Sequence, residues 1–283
     1  MEYANYFYKD IIDQALLEDL GWGDLTTDIL ISPSKEGSAL VKTKSKGILA
    51  GTAIFKSVFF KFDPQLKIIT YFDDGKSIAP GDIIAKIQGK AASILKAERV
   101  ALNFLQHLSG IATQTSQFVE AVKGLPVKIV DTRKTIPGLR YLEKEAVTRG
   151  GGYNHRLNLS DSILIKNNHL SLLTSEGLNI AKIISRAKQQ KSFLYKQIEI
   201  EVTTIQEVVD AVKADADIIM LDNMSLDNMR ESVRIINKRA LIEASGGISL
   251  DNVRTVAETG VDIISVGAIT HSAKALDINL TFD

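Results

Sequence analysis

Cysteine is absent from the 283 residues, which excludes disulfides, thiolate zinc sites, iron–sulfur clusters and cysteine nucleophiles. Proline is scarce, at five residues, too few for an extended spacer, and no low-complexity tract or long linker stands out. No uninterrupted apolar run reaches the roughly 18 residues of a membrane span. The opening stretch MEYANYFYKD lacks the basic start and apolar core of a secretory signal. Net charge is missing too, since 34 Lys and Arg balance 34 Asp and Glu. Duplex binding needs a wide basic face, so nucleic acid is not expected as a partner. These absences leave a cytoplasmic soluble enzyme acting on small molecules, with no membrane partner. At 45% hydrophobic and 24% charged, the chain can bury one large barrel core or two ordinary ones.

The local charge is less even. From Asp131 to Arg156 six Lys and Arg (133, 134, 140, 144, 149 and 156) face three acids, Asp131, Glu143 and Glu145. A cationic cluster in a neutral protein points to a small anionic ligand. Around it the chain changes character. An amphipathic helix is expected up to Gly21, followed by short strand-like runs in SALVKTKSKGILAG, LKIITYF and SIAPGDIIAKIQG. ASILKAERVALNFLQHLSGIATQTSQFVEAVKG then reads as a long helical stretch, with a break expected near Gly110. Beyond residue 111, the apolar runs VKIVD, SILIK, IEIEV, DIIMLD, LIEAS and DIISVG alternate with amphipathic helices. That alternation indicates βα units and a parallel sheet, either open or closed into a barrel.

Parallel α/β folds build their sites at the carboxyl ends of strands, and each of these runs ends in something chemically able. The first supplies Thr132, Arg133 and Lys134, the second Lys166, the third Glu201 and the fourth Asp222. With Arg156, the cations would form a basin for phosphates and carboxylates, although most Lys and Arg are spent as solvated surface charge. The run RGGGYNHR lets backbone approach a ligand, or is simply a flexible loop; its His155 could equally be structural. Ser245, Gly246 and Gly247 follow the fifth strand, and Ser265, Val266, Gly267 and Ala268 end the sixth. Late βα turns of this kind hold phosphate through backbone N–H groups. Glu201 and Asp222 suit an oxygen-ligand Mg2+ site, ribose hydroxyls, or a structural network with nearby cations. Glu199 is expected on the opposite side of its strand from Glu201, or in another layer.

The motifs LEDLGWGDLTTD, KAERVALNFLQHLSGIAT, DTRKTIPGLRYLEKEAV, GGGYNHRLNLSDSILIKNNH, IIMLDNMS, EASGGISLDNV and GVDIISVGAITHSAKALDI occur in order from about Leu17 to the C-terminus. Together they resemble the quinolinate phosphoribosyltransferase family, also called nicotinate-nucleotide pyrophosphorylase (carboxylating), of the type II phosphoribosyltransferases. The resemblance implies an α/β fold in two domains. Residues 1–110 would form an N-terminal α/β sandwich that also serves the partner subunit's site. Residues 111–283 would form an open, six-stranded TIM-like α/β barrel, the last residues packing back on the first domain. It implies transfer of the phosphoribosyl group of phosphoribosyl pyrophosphate (PRPP) to quinolinate, with Mg2+ and loss of CO2, in de novo NAD biosynthesis. It assigns catalysis to Lys134, Lys166, Glu201 and Asp222, with metal binding by Glu201 and Asp222. Arg99, Thr132, Arg133, His155 and Arg156 would bind substrate, and the turns at Ser245–Gly247 and Ser265–Ala268 the 5′-phosphate. Arg99 would enter the partner's site, so a homodimer with shared active sites, or a hexamer built from it, is implied. A sibling enzyme acting on nicotinate or another acceptor is the alternative. Trp22 departs from the family pattern, where a polar or basic residue is expected, but lies outside the proposed site.

Overall fold

The computed structural model of the protein describes residues 2–191 and 196–283. Its first half runs α1 (Glu2–Leu20), α2 (Leu25–Leu30), β1 (Glu36–Thr43), β2 (Gly47–Ile48), α3 (Thr52–Phe62), β3 (Lys67–Thr70), β4 (Ser77–Ile78), β5 (Ile83–Lys90) and α4 (Ala91–Ala121). It continues through β6 (Lys128–Val130), α5 (Arg140–Arg149), β7 (Ile163–Ile165), α6 (Asn167–Ser175), α7 (Ile180–Lys191), β8 (Ile198–Val202) and α8 (Ile205–Lys213). The chain closes with β9 (Ile218–Asp222), α9 (Leu226–Ile236), β10 (Leu241–Ser245), α10 (Val253–Ala257), β11 (Ile263–Ser265), α11 (Ala268–His271) and β12 (Ile278–Phe282). Two compact units interleave along the sequence: residues 1–116, 136–151 and 272–283 in one, and 117–135 and 152–271 in the other.

The first unit is built on an antiparallel sheet in the order β12-β1-β5-β3. Ala39, Val41 and Thr43 of β1 are buried and their neighbours are not, the period-two pattern of a strand covered on one face. Helix α3 buries Ile54, Phe55, Val58 and Phe59, and the two phenylalanine rings meet edge to face with centroids 5.1 Å apart. Helix α4 runs unbroken through Gly110, where the sequence predicts an interruption. A Cβ at Gly110 would stand 2.3 Å from the Lys274 carbonyl oxygen. Glycine is needed because backbone crosses the helix there, not because the helix ends. The residue 111 boundary expected from composition therefore lies inside a continuous helix, and the C-terminal β12 pairs with β1.

The second unit holds six parallel strands in the order β6-β11-β10-β9-β8-β7, with no ladder joining β6 to β7 among the described residues. All six are the apolar runs that the sequence marks as strands. Capping at Thr204 and Ser225 starts α8 and α9, whose apolar stripes bury Val208, Ala211 and Val212, and Met229 and Ile236. Every residue of β8 is buried. Alternation along IEIEV puts Ile198, Ile200 and Val202 on one face and Glu199 and Glu201 on the other. Both glutamates thus share a face, contrary to an opposite-side placement, and differ in depth. Register sets the layers: Asp222 is level with Ser245, Glu201 and Glu243 with Met220, and Glu199 with Ile218.

Candidate active site

A cavity of about 500 Å3 lies at the carboxyl ends of the second unit's strands. It is lined by the cations Arg133, Lys134, Arg156 and Lys166 and the carboxylates Glu201 and Asp222. Thr132, His155, Ser245 and Ser265 complete the sequence-predicted residues on its wall. Gly246, Gly247, Val266 and Gly267 occupy the adjoining turns and Ala268 opens α11, outside the wall itself. Arg99 lies on α4 in the first unit, with its side chain exposed.

The segment after β6 is fixed by its own polar groups. Lys134 N donates to Thr132 Oγ1 at 3.0 Å, and Thr270 Oγ1 donates to the Lys134 carbonyl at 2.7 Å. Asp131 is fully buried. Its Oδ1 accepts the His155 N–H at 2.8 Å, and its own N–H donates to Tyr153 O at 3.1 Å. One acid therefore ties the strand end to the glycine-rich loop, setting Arg133 and Arg156 near each other. Burial, and then the charge of Arg133, lowers the Arg156 pKa, while Glu199 and Asp161 oppose that fall.

On the opposite wall, Lys166 caps α6 and its N–H donates to His169 Nδ1 at 2.9 Å. Lys166 Nζ stands 3.4 Å from Glu201 Oε2. Asn167 Nδ2 donates to Glu201 Oε1 at 2.8 Å and reaches Asp222 Oδ2 at 3.4 Å. Two carboxylates at adjacent strand ends, with no thiolate or imidazole between them, form a hard oxygen donor set. That chemistry fits Mg2+, which takes one or two protein carboxylates and fills its octahedron with water and substrate phosphate oxygens.

Below the mouth, His155 Nε2 lies 3.2 Å from Glu199 Oε2 and 3.3 Å from Glu243 Oε2. Both glutamates are almost fully buried, and the second oxygen of each makes no hydrogen bond. The Arg156 backbone N lies 2.8 Å from His155 Nδ1, while Nε2 faces the two carboxylates. Burial favours the neutral ring, but hydrogen bonds to both glutamates and their charge outweigh it and hold the His155 pKa at about 10. Burial also pushes Glu199 up, the His155 hydrogen bond opposes this, and the charge of Glu243 adds to the rise. A second cavity of about 450 Å3, lined by Glu199, Ile218 and Ile263, lies beyond this cluster.

The turns after β10 and β9 lock together. Gly246 and Gly247 adopt φ of +91° and +62°, and Asn223 is left-handed at +53°. A Cβ on Gly246 would fall 2.3 Å from Asn223 Oδ1, and Asn223 N donates to Ser245 O at 2.9 Å. Only glycine satisfies both the positive φ and the close approach. Asn167, Asn223 and Glu243 were not singled out from the sequence. The period-two step from Ser245 back to Glu243 is the signal that could have found the last of these.

The sequence matches the quinolinate phosphoribosyl transferase C-terminal domain over residues 111–281 and the N-terminal domain over residues 24–109. The chain belongs to the quinolinate phosphoribosyl transferase family. Within it, the chain is 42% identical over 272 residues to the probable carboxylating nicotinate-nucleotide pyrophosphorylase of Bacillus subtilis, covering 96% of this chain and 92% of that protein. It is 40% identical over 297 residues to the mitochondrial decarboxylating quinolinate phosphoribosyltransferase 2b of Nicotiana tabacum, covering 99% and 84%. The crystal structure of NadC from Streptococcus pyogenes superposes with a TM-score of 0.92 at 39% identity, over 99% of this chain and 98% of that one. The quinolinate phosphoribosyl transferase fold expected from the sequence is thus present in both domains.

Proposed function

We propose that this enzyme transfers the phosphoribosyl group of PRPP to quinolinate with decarboxylation, giving nicotinate mononucleotide, pyrophosphate and CO2 in NAD biosynthesis. The observation that carries this reading is the cavity itself: Arg133, Lys134, Arg156 and Lys166 gathered with the strand-end carboxylates Glu201 and Asp222, and Glu243 deeper in the same wall, in a chain of this family. Quinolinate is a dianion and PRPP carries several more negative charges, so bringing them together needs a cationic pocket.

Arg133 and Arg156, with Thr132, clamp the quinolinate carboxylates by charge-assisted hydrogen bonds. His155, on the wall of the same cavity, joins them in binding the substrate carboxylates while its Nε2 faces Glu199 and Glu243. Lys134 and Lys166 reach the phosphosugar and the substrate carboxylate, and the Ser245–Gly247 and Ser265–Ala268 turns take the 5′-phosphate. Glu201 and Asp222 hold the ribose hydroxyls and bind Mg2+. When bound, Mg2+ supplies charge that stabilises the departing pyrophosphate. Held in line, the pyridine nitrogen attacks the anomeric carbon while Glu201 and Asp222 stabilise positive charge developing on the ribose. The cationic ring nitrogen then stabilises the electron pair left on C2 as the C2–carboxylate bond breaks and CO2 departs, and C2 takes up a proton from solvent to give nicotinate mononucleotide. No covalent nucleophile on the protein is required.

Assembly as a homodimer with shared sites belongs to the same reading. Leu17, Trp22, Leu25, Ile29 and Leu30, on α1, α2 and the turn between them, are each at least 71% exposed, apolar surface of the kind a subunit interface covers. Arg99 is exposed on α4, in keeping with its entering the partner's site. No helix among the described residues is long and apolar enough to cross a membrane, and we take the cytoplasm as the place of action. The test is product formation from PRPP with quinolinate or with nicotinate. Nicotinate mononucleotide formed only from nicotinate would replace this reading with that of the sibling transferase.

A further inference from the structure

Asn167 stands where no charged group does, between the two carboxylates of the mouth. The junction that places it is rigid: β7 ends at Ile165, Lys166 caps α6, and the His169 ring closes the cap by accepting the Lys166 N–H. The first residue of the helix therefore projects toward β8 and β9, which carry Glu201 and Asp222 at their ends. Its amide nitrogen lies 2.8 Å from Glu201 Oε1 and 3.4 Å from Asp222 Oδ2. Lys166 Nζ takes the other Glu201 oxygen at 3.4 Å, so both oxygens of that largely buried carboxylate have a donor.

The choice of donor matters. A carboxamide carries two N–H groups and no charge, so it can orient both carboxylates without cancelling either. A lysine or arginine there would neutralise the pair and weaken its hold on any cation, and an aspartate would repel both partners. Oriented in this way, both acids keep their negative charge available to a ligand. We infer that Asn167 is a positioning residue that preorganises Glu201 and Asp222 for the ribose–pyrophosphate end of PRPP, without contacting the quinolinate side of the cavity. The inference rests on the proposed function for the identity of that ligand.

The test is calorimetric binding of PRPP and, separately, of quinolinate to the full-length protein in Mg2+ buffer, without turnover. Asn167→Ala should weaken PRPP about tenfold or more, the loss expected when a hydrogen bond to a charged group goes. Quinolinate affinity and the thermal midpoint should stay at wild-type values. Asn167→Asp, nearly isosteric, should weaken PRPP further, and Asn167→Gln, which keeps the amide on a longer stem, should recover part of the loss. Wild-type PRPP affinity in the Ala and Asp variants would overturn the inference. So would equal losses for both ligands, or a fall in thermal midpoint that tracks the loss of binding, because those mark a merely structural residue. Wild-type protein that fails to bind PRPP at all would instead sink the proposed function.

Discussion

Replacing Glu243 by glutamine tests the buried proton-holding cluster. The His155 ring has an ordinary value of 6.5 and is held at about 10. At about 1.4 kcal/mol per pH unit, the held proton stabilises the fold by up to about 5 kcal/mol. Because the folded value lies above the unfolded one, this contribution is complete below about pH 6.5 and is lost as pH climbs through about 10. Glu243→Gln preserves size but removes one of the two negative charges facing the ring. One charge-assisted hydrogen bond is worth about 1.5–3 kcal/mol, so the variant should be less stable than wild type by about 2 kcal/mol near pH 6.5. Above about pH 10 the proton is gone from both proteins. Wild type then confines two bare carboxylates where the variant has one, so the difference should close or reverse. Urea midpoints measured across that range give the curve directly. A stability gap that stays constant with pH would refute the cluster's role. So would a His155 ring that titrates near 6.5 by NMR, a tractable measurement with four histidines in the chain.

Arg133→Ala should raise the KM for quinolinate about 10- to 100-fold through loss of a charge-assisted carboxylate contact, leaving the KM for PRPP little changed in steady-state kinetics. Arg99→Ala mixed with Lys134→Ala should regain activity in exchanged dimers, up to about one quarter of wild type if both defects segregate to one of the two sites; no recovery after verified exchange would rule out shared sites. Gly110→Ala should lower the thermal midpoint, since its Cβ would meet the Lys274 carbonyl at 2.3 Å, an overpacking strain of about 1–3 kcal/mol.

All six parallel strands were legible because each is a short apolar run closed by a polar residue, and strand ends converge whatever the helices between them do. For that reason Arg133, Lys134, Lys166, Glu201 and Asp222 could be placed on one face from order alone, and they line one cavity. Long-range packing was less legible. Gly110 reads locally as a helix breaker, and only backbone 164 residues further along, at Lys274, shows why glycine is needed within an unbroken helix. The pairing of Glu199 and Glu243 with His155 joins β8, β10 and a loop, a meeting that no sequence spacing encodes. Asn167 is illegible in the sequence because an amide carries no charge to mark it, although its position directly after Lys166 is as well defined as that of the lysine.

In this reading the site joins quinolinate to PRPP and expels the 2-carboxylate of quinolinate. The most direct measurement uses quinolinate carrying isotope in that carboxyl group, with PRPP and Mg2+. We predict one labelled CO2 released per pyrophosphate and per nicotinate mononucleotide formed, and none when PRPP is omitted. Pyrophosphate release with the label retained in the product, or no turnover with quinolinate while nicotinate reacts, would contradict it.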